Sequence, residues 1–254
     1  MSDYLLEAQG LTKNFGGLRA VDHVSLGIKQ GEVLGLVGDN GAGKSTLIKM
    51  LTGVFPPDAG TILLEGNDIV FRNRQHAREL GIECVYQDLA LVDTLDGPSN
   101  LFLGAELYKS FLGFKVLDNR KMREEAVRVL KERMSITLGK VKDPVLFLSG
   151  GQKQSVAIAR AIYSEKAQVL ILDEPTAALG PEETEKVLSM VGRLAAQGLG
   201  IVMIAHNLEH VLQVCDRIAV LWQGQLAGVR EKDGTSRQEI LGMIMGSTEH
   251  VVNG

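Results

Sequence analysis

From Gly38 to Ser45 the chain reads Gly-Asp-Asn-Gly-Ala-Gly-Lys-Ser, with three glycines, a lysine and a hydroxyl inside eight residues. The apolar run Val33–Val37 precedes this segment, and Thr46–Leu51 follows it with helix-like patterning that stops near Gly53. Glycines let consecutive backbone N–H groups curl around an anion without Cβ clashes. A helix N-terminus adds unpaired donors and a partial positive charge. Lys44 brings a full charge to outer phosphates, and Ser45 offers a hydroxyl to Mg²⁺. Strand, glycine loop and helix together are the setting in which the pattern G-x-x-x-x-G-K-[ST] signals polyphosphate binding. On this reading Gly38, Asp39, Asn40, Gly41, Ala42, Gly43, Lys44, Ser45 and Thr46 hold a nucleoside triphosphate.

Asp173-Glu174 closes a second apolar run, Val169–Leu172. A carboxylate such as Asp173 can hold Mg²⁺ directly or through water, because hard cations prefer oxygen ligands. Its neighbour Glu174 can orient the water that attacks the γ-phosphate. A carboxylate is a weak base near neutral pH, so its value lies in placement. Leu148-Ser149-Gly150-Gly151-Gln152 precedes the helical pattern Lys153–Arg160. It is therefore a second glycine-bearing helix start suited to an anion. One triphosphate already has its cradle. A second phosphate-type segment implies two chains arranged head to tail, each closing over the other's nucleotide.

Parallel strands must deliver these residues. Besides the two runs already named, Ile82–Tyr86 ends at Gln87 and Ile201–Ala205 ends at His206. Near-continuous apolar runs fit parallel strands covered on both faces, and ligands of open α/β sheets lie beyond the carboxyl ends of the strands. Lys44, Gln87, Asp173, Glu174 and His206 are thus expected along one edge. Helix starts are legible too. Pro181 after Gly180 has the N1 position with Glu182 and Glu183 in the first turn. Asn207 suits an N-cap, and Ser236-Arg237-Gln238-Glu239 suits a capping box for a last helix carrying Ile240, Leu241 and Ile244 on one face. Residues 5–30 and 60–71 predict a small, mostly antiparallel sheet with turns at Gly16-Gly17 and Gly66-Asn67. Residues 88–156 read as helical, most clearly from Asp118 to Met134, where Met122, Ala126, Val129, Leu130 and Met134 form one stripe. The mixed charges opposite that stripe suit a solvated face. The polar tail after Gly246 is expected to be loosely held.

With 254 residues the chain can bury one large α/β domain or two small ones. Hydrophobic residues at 45% and charged residues at 23% are ordinary for a soluble protein. A net charge of −4 argues against a broad nucleic-acid surface. Cys84 and Cys215 sit among apolar residues without metal-ligand spacing, so both read as buried small hydrophobes in a reducing compartment. The start of the chain shows no secretory pattern, and no apolar run approaches the ~20 residues that span a bilayer. Any work at a membrane would go through a partner, and the expected compartment is the cytoplasm.

Taken in order, the Walker A loop Gly38–Ser45, Gln87, Leu148–Gln152, Asp173-Glu174 and His206 resemble the ATP-binding cassette of ABC transporters over essentially the whole chain. The resemblance implies one cassette, with a P-loop NTPase core and β subdomain at 1–87 and 157–254 and a helical subdomain at 88–156. It implies ATP and Mg²⁺ as cofactors, with Ser45, Gln87 and Asp173 at the metal and Glu174, His206 and Gln87 at the reacting phosphate. Ser149, Gly150, Gly151 and Gln152 would grip the γ-phosphate of a second cassette in a sandwich dimer. Phe15 matches the aromatic that stacks on adenine, against the alternative of a core residue of the small sheet. Transmembrane permease subunits would dock on the helical subdomain and the Gln87 region. A periplasmic or extracellular solute-binding protein would act indirectly, and the cassette would sit peripherally on the inner face of the cell membrane. One departure is Gly180, where the family usually has an Asp bridging the two cassettes. The stretches Val85–Ala90 and Asn100–Gly104 look similar to ATPases of monosaccharide importers, so a sugar is the expected cargo. Branched-chain amino acid importers are the competing class, and a soluble cassette outside transport is a third.

Overall fold

The computed structural model describes residues 3–134, 143–164 and 166–247. A hairpin of β1 (Leu6–Phe15) and β2 (Leu18–Ile28) leads into β3 (Val33–Val37), the glycine loop and helix α1 (Lys44–Leu51). A second hairpin, β4 (Ala59–Leu64) and β5 (Asn67–Ile69), precedes α2 (Arg74–Glu79) and β6 (Ile82–Val85). Next come α3 (Gly97–Leu101), a third hairpin of β7 (Tyr108–Phe111) and β8 (Phe114–Leu117), α4 (Asn119–Glu132), a 3-10 turn at Val145–Phe147 and α5 (Gly150–Ile162). Strand β9 (Val169–Asp173), α6 (Pro181–Ala196), β10 (Gly200–Ile204) and α7 (Leu208–Val214) follow. The hairpin of β11 (Arg217–Trp222) and β12 (Gln225–Glu231), then α8 (Arg237–Ile244), ends the described chain.

The central sheet runs β12-β11-β3-β10-β9-β6, parallel except for β12. Its inner strands are apolar along their length, except for Arg217 at the start of β11 and Asp173 at the end of β9, because both faces are covered. Ile201 and Met203 of β10 pack with Leu170 and Leu172 of β9 against α5 and α6. Val202, Ile204, Val169 and Ile171 point the other way, into a second core closed by α1 and the antiparallel sheet β2-β1-β4-β5. The period of two that a half-buried strand would show as polar alternation appears here as a division between two cores.

Most helix ends follow the expected chemistry. Asp118, Asn207 and Ser236 each accept a backbone N–H at an N-cap, and Pro181 is the first residue of α6. Met122, Ala126, Val129, Leu130 and Met134 are all buried, while Arg120–Glu124 and Arg128–Glu125 pair on the exposed side of α4. The capping box expected at Ser236 is half made: the Glu239 carboxylate accepts instead from Arg230 Nε at 2.6 Å. The core face of α8 is Ile240 with Met243; Leu241 and Ile244 are only partly covered.

Three hairpins depart from the sequence reading, and one cause covers them. The turn of β4–β5 is Glu65-Gly66, one residue earlier than expected, with φ of 50° and 78°. Leu112-Gly113 turns β7 into β8 inside the stretch read as wholly helical, and Gln223-Gly224 joins β11 to β12. All are two-residue turns with both residues at positive φ, the type I′ geometry that normally selects Asn-Gly or Asp-Gly. Glu, Leu and Gln in the first position hide the signal. Helix α5 also runs unbroken through Val156 and Ala157, where the helical subdomain was expected to end. Of that stretch, 135–142 lie outside the described residues, as does the tail beyond Ser247.

Candidate functional site

Strand register aligns the chemistry. Ile204 lies opposite Leu36 on one side and Asp173 on the other, so β3, β10 and β9 end level. Directly beyond them is a cavity of about 530 Å³, within the usual size of a small-ligand site. Its walls include Phe15, Asn40, Gly41, Ala42, Gly43, Lys44, Ser45, Thr46, Asp173, Glu174 and His206. Eleven residues expected from sequence therefore meet in one space. Phe15 is 48% exposed and stacks edge-on against Phe55 at 5.6 Å, so it is a wall of the cavity, not a core residue of the small sheet.

The glycine loop leaves β3 at Gly38, whose φ is 153° and where any Cβ would overlap the carbonyl oxygen of Leu221. Only glycine lets the loop turn so close to β11. Lys44 is buried, and its Nζ donates to the carbonyls of Gly38 at 2.8 Å and Asp39 at 2.9 Å. Gly38 and Asp39 thus stand behind the cavity wall and set the lysine's direction. Burial lowers the Lys44 pKa, against the opposing pull of Glu174, Asp39 and Asp173. The Asp173 carboxyl is raised by burial and by the charge of Glu174, while Lys44 draws it back down. A buried ammonium thus lies within electrostatic reach of two carboxylates.

Glu174 and His206 touch: Nε2 of the histidine lies 2.8 Å from Oε1 of the glutamate. Glu174 holds a left-handed conformation at φ 52°, and its N–H donates to the Ile204 carbonyl at 3.0 Å. A β-strand that ends in αL aims the next side chain off the sheet edge, at a conformational cost that a non-glycine residue seldom bears without use. Thr176 and Asn207 both bond the ring of His210, at 3.0 and 3.1 Å, behind this pair.

Gln87 is exposed two residues past β6 and is not part of the cavity wall. Ser149, Gly150, Gly151 and Gln152 are elsewhere too. Ser149 caps α5 in a full capping box with Gln152, beside a separate cavity of about 580 Å³ that also takes in Glu183 and Arg193. Gly180 caps α6 through no side chain.

Sequence reasoning missed the β11–β12 turn. Gln223 and Gly224 line the cavity, and the Gly224 N–H donates to the Ala42 carbonyl at 3.1 Å, pinning the phosphate loop from outside. Asp22 braces the same turn: it accepts from His23, Gln225 and Arg19, which hold its carboxyl down to about 2. Arg217 likewise has a place, in a buried ion pair with Glu32 at 2.9 Å. The only signal for the turn was a Gln-Gly dipeptide between two apolar runs.

Residues 21–177 match the ABC transporter family. The chain belongs to it. Over 94% of its length it is 43% identical to the xylose/arabinose import ATP-binding protein XylG of Sulfolobus acidocaldarius, covering 93% of that protein. It is also 43% identical to the fructose import ATP-binding protein FrcA of Rhizobium meliloti, over 91% of this chain and 90% of that one. Among solved structures, the ADP conformation of MJ1267, an ATP-binding cassette of an ABC transporter, superposes with a TM-score of 0.79 at 27% identity, covering 96% of each chain. The cassette fold, with its parallel core, small antiparallel sheet and helical insert, is the one the sequence resemblance implied. Among the described residues of this ABC protein no helix is long and apolar enough to cross a membrane.

Proposed function

We propose that this chain is the ATP-hydrolysing subunit of a sugar importer, working with Mg²⁺, a second cassette and transmembrane permease subunits. What supports it most directly is the convergence of Lys44, Ser45, Asp173, Glu174 and His206 on one cavity at the ends of three strands. The sugar comes from the relatives, two of which are import ATP-binding proteins for xylose/arabinose and fructose.

In this reading Phe15 stacks on the base, the N–H groups of the glycine loop hold the α- and β-phosphates, and Lys44 neutralises the outer ones. The donor set suits Mg²⁺: Ser45 and Asp173 offer two oxygens, and among the described residues no group of three or more His, Cys, Asp or Glu is placed to hold a metal ion by itself. Mg²⁺ takes one or two protein oxygens and completes its shell with phosphate and water. Bound there it would offset charge between the β- and γ-phosphates. Glu174 receives the proton of the attacking water, and His206 keeps the Glu174 carboxylate aimed by holding one of its oxygens. Gln87, just outside the cavity, would move in only when the permease docks on its loop and the helical insert. Ser149, Gly150, Gly151 and Gln152 would meet the γ-phosphate of a partner cassette, since within one chain none of them lines the cavity of Lys44 and Ser149, Gly151 and Gln152 line another.

Glu174→Gln tests this. ATP binding should persist, turnover should drop at least about a hundredfold, and light scattering should show an ATP-trapped dimer. Wild-type turnover in the variant refutes the role of Glu174. For the cargo, ATPase activity of the assembled transporter should rise with a pentose or hexose and not with leucine; the reverse result would move the chain to the amino acid class.

A further inference from the structure

Phosphate chemistry makes no use of the hairpin β7–β8. Tyr108 pairs with Leu117 and Phe111 with Phe114, and the base is closed by the Asp118 N–H on the Leu107 carbonyl at 2.8 Å. Tyr108, Phe111, Leu112, Phe114 and Leu117 are all exposed, Leu112 at 84%. Leu112 also sits at φ 48° in the first position of the turn, where Asn, Asp or Gly would be cheaper by backbone strain and by solvation. A branched apolar side chain held there in water loses on both counts, which points to a use outside the isolated fold.

We propose that this hairpin is a shallow anchor that seats the protein on an anionic bilayer surface, with Leu112 and the Phe111/Phe114 pair entering the headgroup region. Three observations favour lipid over a protein partner. Apolar groups encircle the hairpin: alternation along the strands puts Phe111 and Phe114 on one face and Tyr108 and Leu117 on the other, with Leu112 at the tip. A docked protein covers one face, whereas a bilayer surrounds them all. Between Leu107 and Leu117 the only charges are Lys109 and Lys115, in a chain whose net charge is −4; among the described residues neither lysine is ion-paired. Two lysines set one or two residues behind an apolar tip can reach phosphate while their stems lie along apolar surface. Finally, among the described residues no third strand pairs with the outer edge of β7 or β8, which limits entry to the hydrated interface and fits an anchor rather than a span. The proposal goes beyond the ATPase reading and needs neither nucleotide nor permease.

Co-sedimentation of the full chain with vesicles tests it. Wild-type protein should bind phosphatidylcholine vesicles containing phosphatidylglycerol, bind phosphatidylcholine alone more weakly, and release with added salt. Leu112→Asn gives the turn a residue it prefers, so the double variant Leu112→Asn/Phe114→Ser keeps the hairpin while losing the tip; its partitioning should fall roughly tenfold or more. Lys109→Gln/Lys115→Gln should erase most of the preference for the anionic vesicles. No binding by wild type, or equal binding by wild type and tip variant, overturns the proposal. It is overturned equally if the tip variant releases the permease in detergent, or dissociates a dimer, while its vesicle binding is unchanged, because the hairpin would then be a protein contact. ATP binding followed on the same samples reports on the nucleotide site independently.

Discussion

Lys44→Met separates what the lysine does for phosphate from what it does for the fold, and the two effects have opposite signs. In the wild type the ammonium is buried, bonded to two carbonyls, and has its pKa lowered chiefly by that burial. The charged form is therefore less at home in the folded chain than in water. Methionine keeps most of the stem's packing and removes the charge, so the nucleotide-free protein should be no less stable. ATP is different. A hydrogen bond to a charged group contributes about 1.5–3 kcal/mol, and at ~1.4 kcal/mol per decade this predicts a Kd weakened roughly 10- to 150-fold. At ATP equal to a hundred times the wild-type Kd, binding adds about 2.7 kcal/mol to wild-type stability. With Kd a hundredfold weaker the same ATP adds only about 0.4 kcal/mol. At about 2–4 °C per kcal/mol, an ATP-induced Tm gain of roughly 5–11 °C shrinks to about 1–2 °C. Differential scanning fluorimetry with and without ATP measures both terms. An undiminished ATP gain would refute the phosphate role of Lys44. A fall of more than about 4 °C in the nucleotide-free Tm would show that burial of the charge is not the net penalty argued here. The linkage adds a sign: a lysine with depressed folded pKa binds fewer protons folded than unfolded, so its cost is present at neutral pH and lifts as pH rises from the folded pKa towards 10.5. That alkaline recovery should be missing from the variant.

Other perturbations give equally definite outcomes. Arg217→Met leaves Glu32 buried with, among the described residues, the Lys29 N–H as its remaining partner; about 3–5 kcal/mol should be lost, read as a lower urea midpoint. Gly224→Ala puts a side chain at φ 83° against the Ala20 carbonyl oxygen at 3.1 Å; roughly 1–2 kcal/mol of strain should loosen the phosphate loop and raise the Kd for ATP, while Gln225→Ala should do so less. Burial lifts the Cys84 thiol from 9.0 to about 12, so the folded state keeps a proton the unfolded chain releases. Its stabilising contribution is whole below pH 9 and declines above it. Cys84→Ala should flatten part of the alkaline fall in stability, and an unchanged slope would contradict the burial argument.

The central sheet was legible because parallel strands covered on both faces must be apolar throughout, and few other elements produce runs like Val169–Leu172 and Ile201–Ala205. Helix ends were legible where a side chain has one cheap use, as with Asn207 and Pro181. The β1–β2 hairpin was legible too, turning at Gly16-Gly17 as expected, but the turns of the other three hairpins were not. A type I′ turn is set by the backbone dihedrals of its two central residues, both at positive φ, and any residue that tolerates positive φ can fill the first position when the strands on either side insist. Glu65, Leu112 and Gln223 do so, and each carries no turn signature of its own. The helical expectation for 88–156 failed at Tyr108–Leu117 for this reason.

The candidate site divides along the same line. Residues whose chemistry is intrinsic (Lys44, Ser45, Asp173, Glu174 and His206) could be named from type and from the strand they follow. Residues that work by support could not: Gln223, Gly224 and Asp22 become visible only when β11 is seen to lie beside β3, a pairing between segments some 180 residues apart in the chain. Arg217 and Glu32 are bonded across that same pair of strands. Gln87 marks the opposite limit. Its type and position after β6 suggested the cavity, yet the side chain is exposed and absent from the wall: β6 is the edge strand of the sheet, and the chain beyond it is fastened only from Leu89 and Ala90 on, whose carbonyls accept from Arg160 at 2.7 and 2.9 Å, among the described residues. An edge strand has no neighbour on one side to fix the residues that leave it, so the permease contact proposed above could shift Gln87 without unmaking the central sheet. The place where the sequence reading and the geometry part company is thus the place where the proposed permease contact would act on the proposed phosphate site.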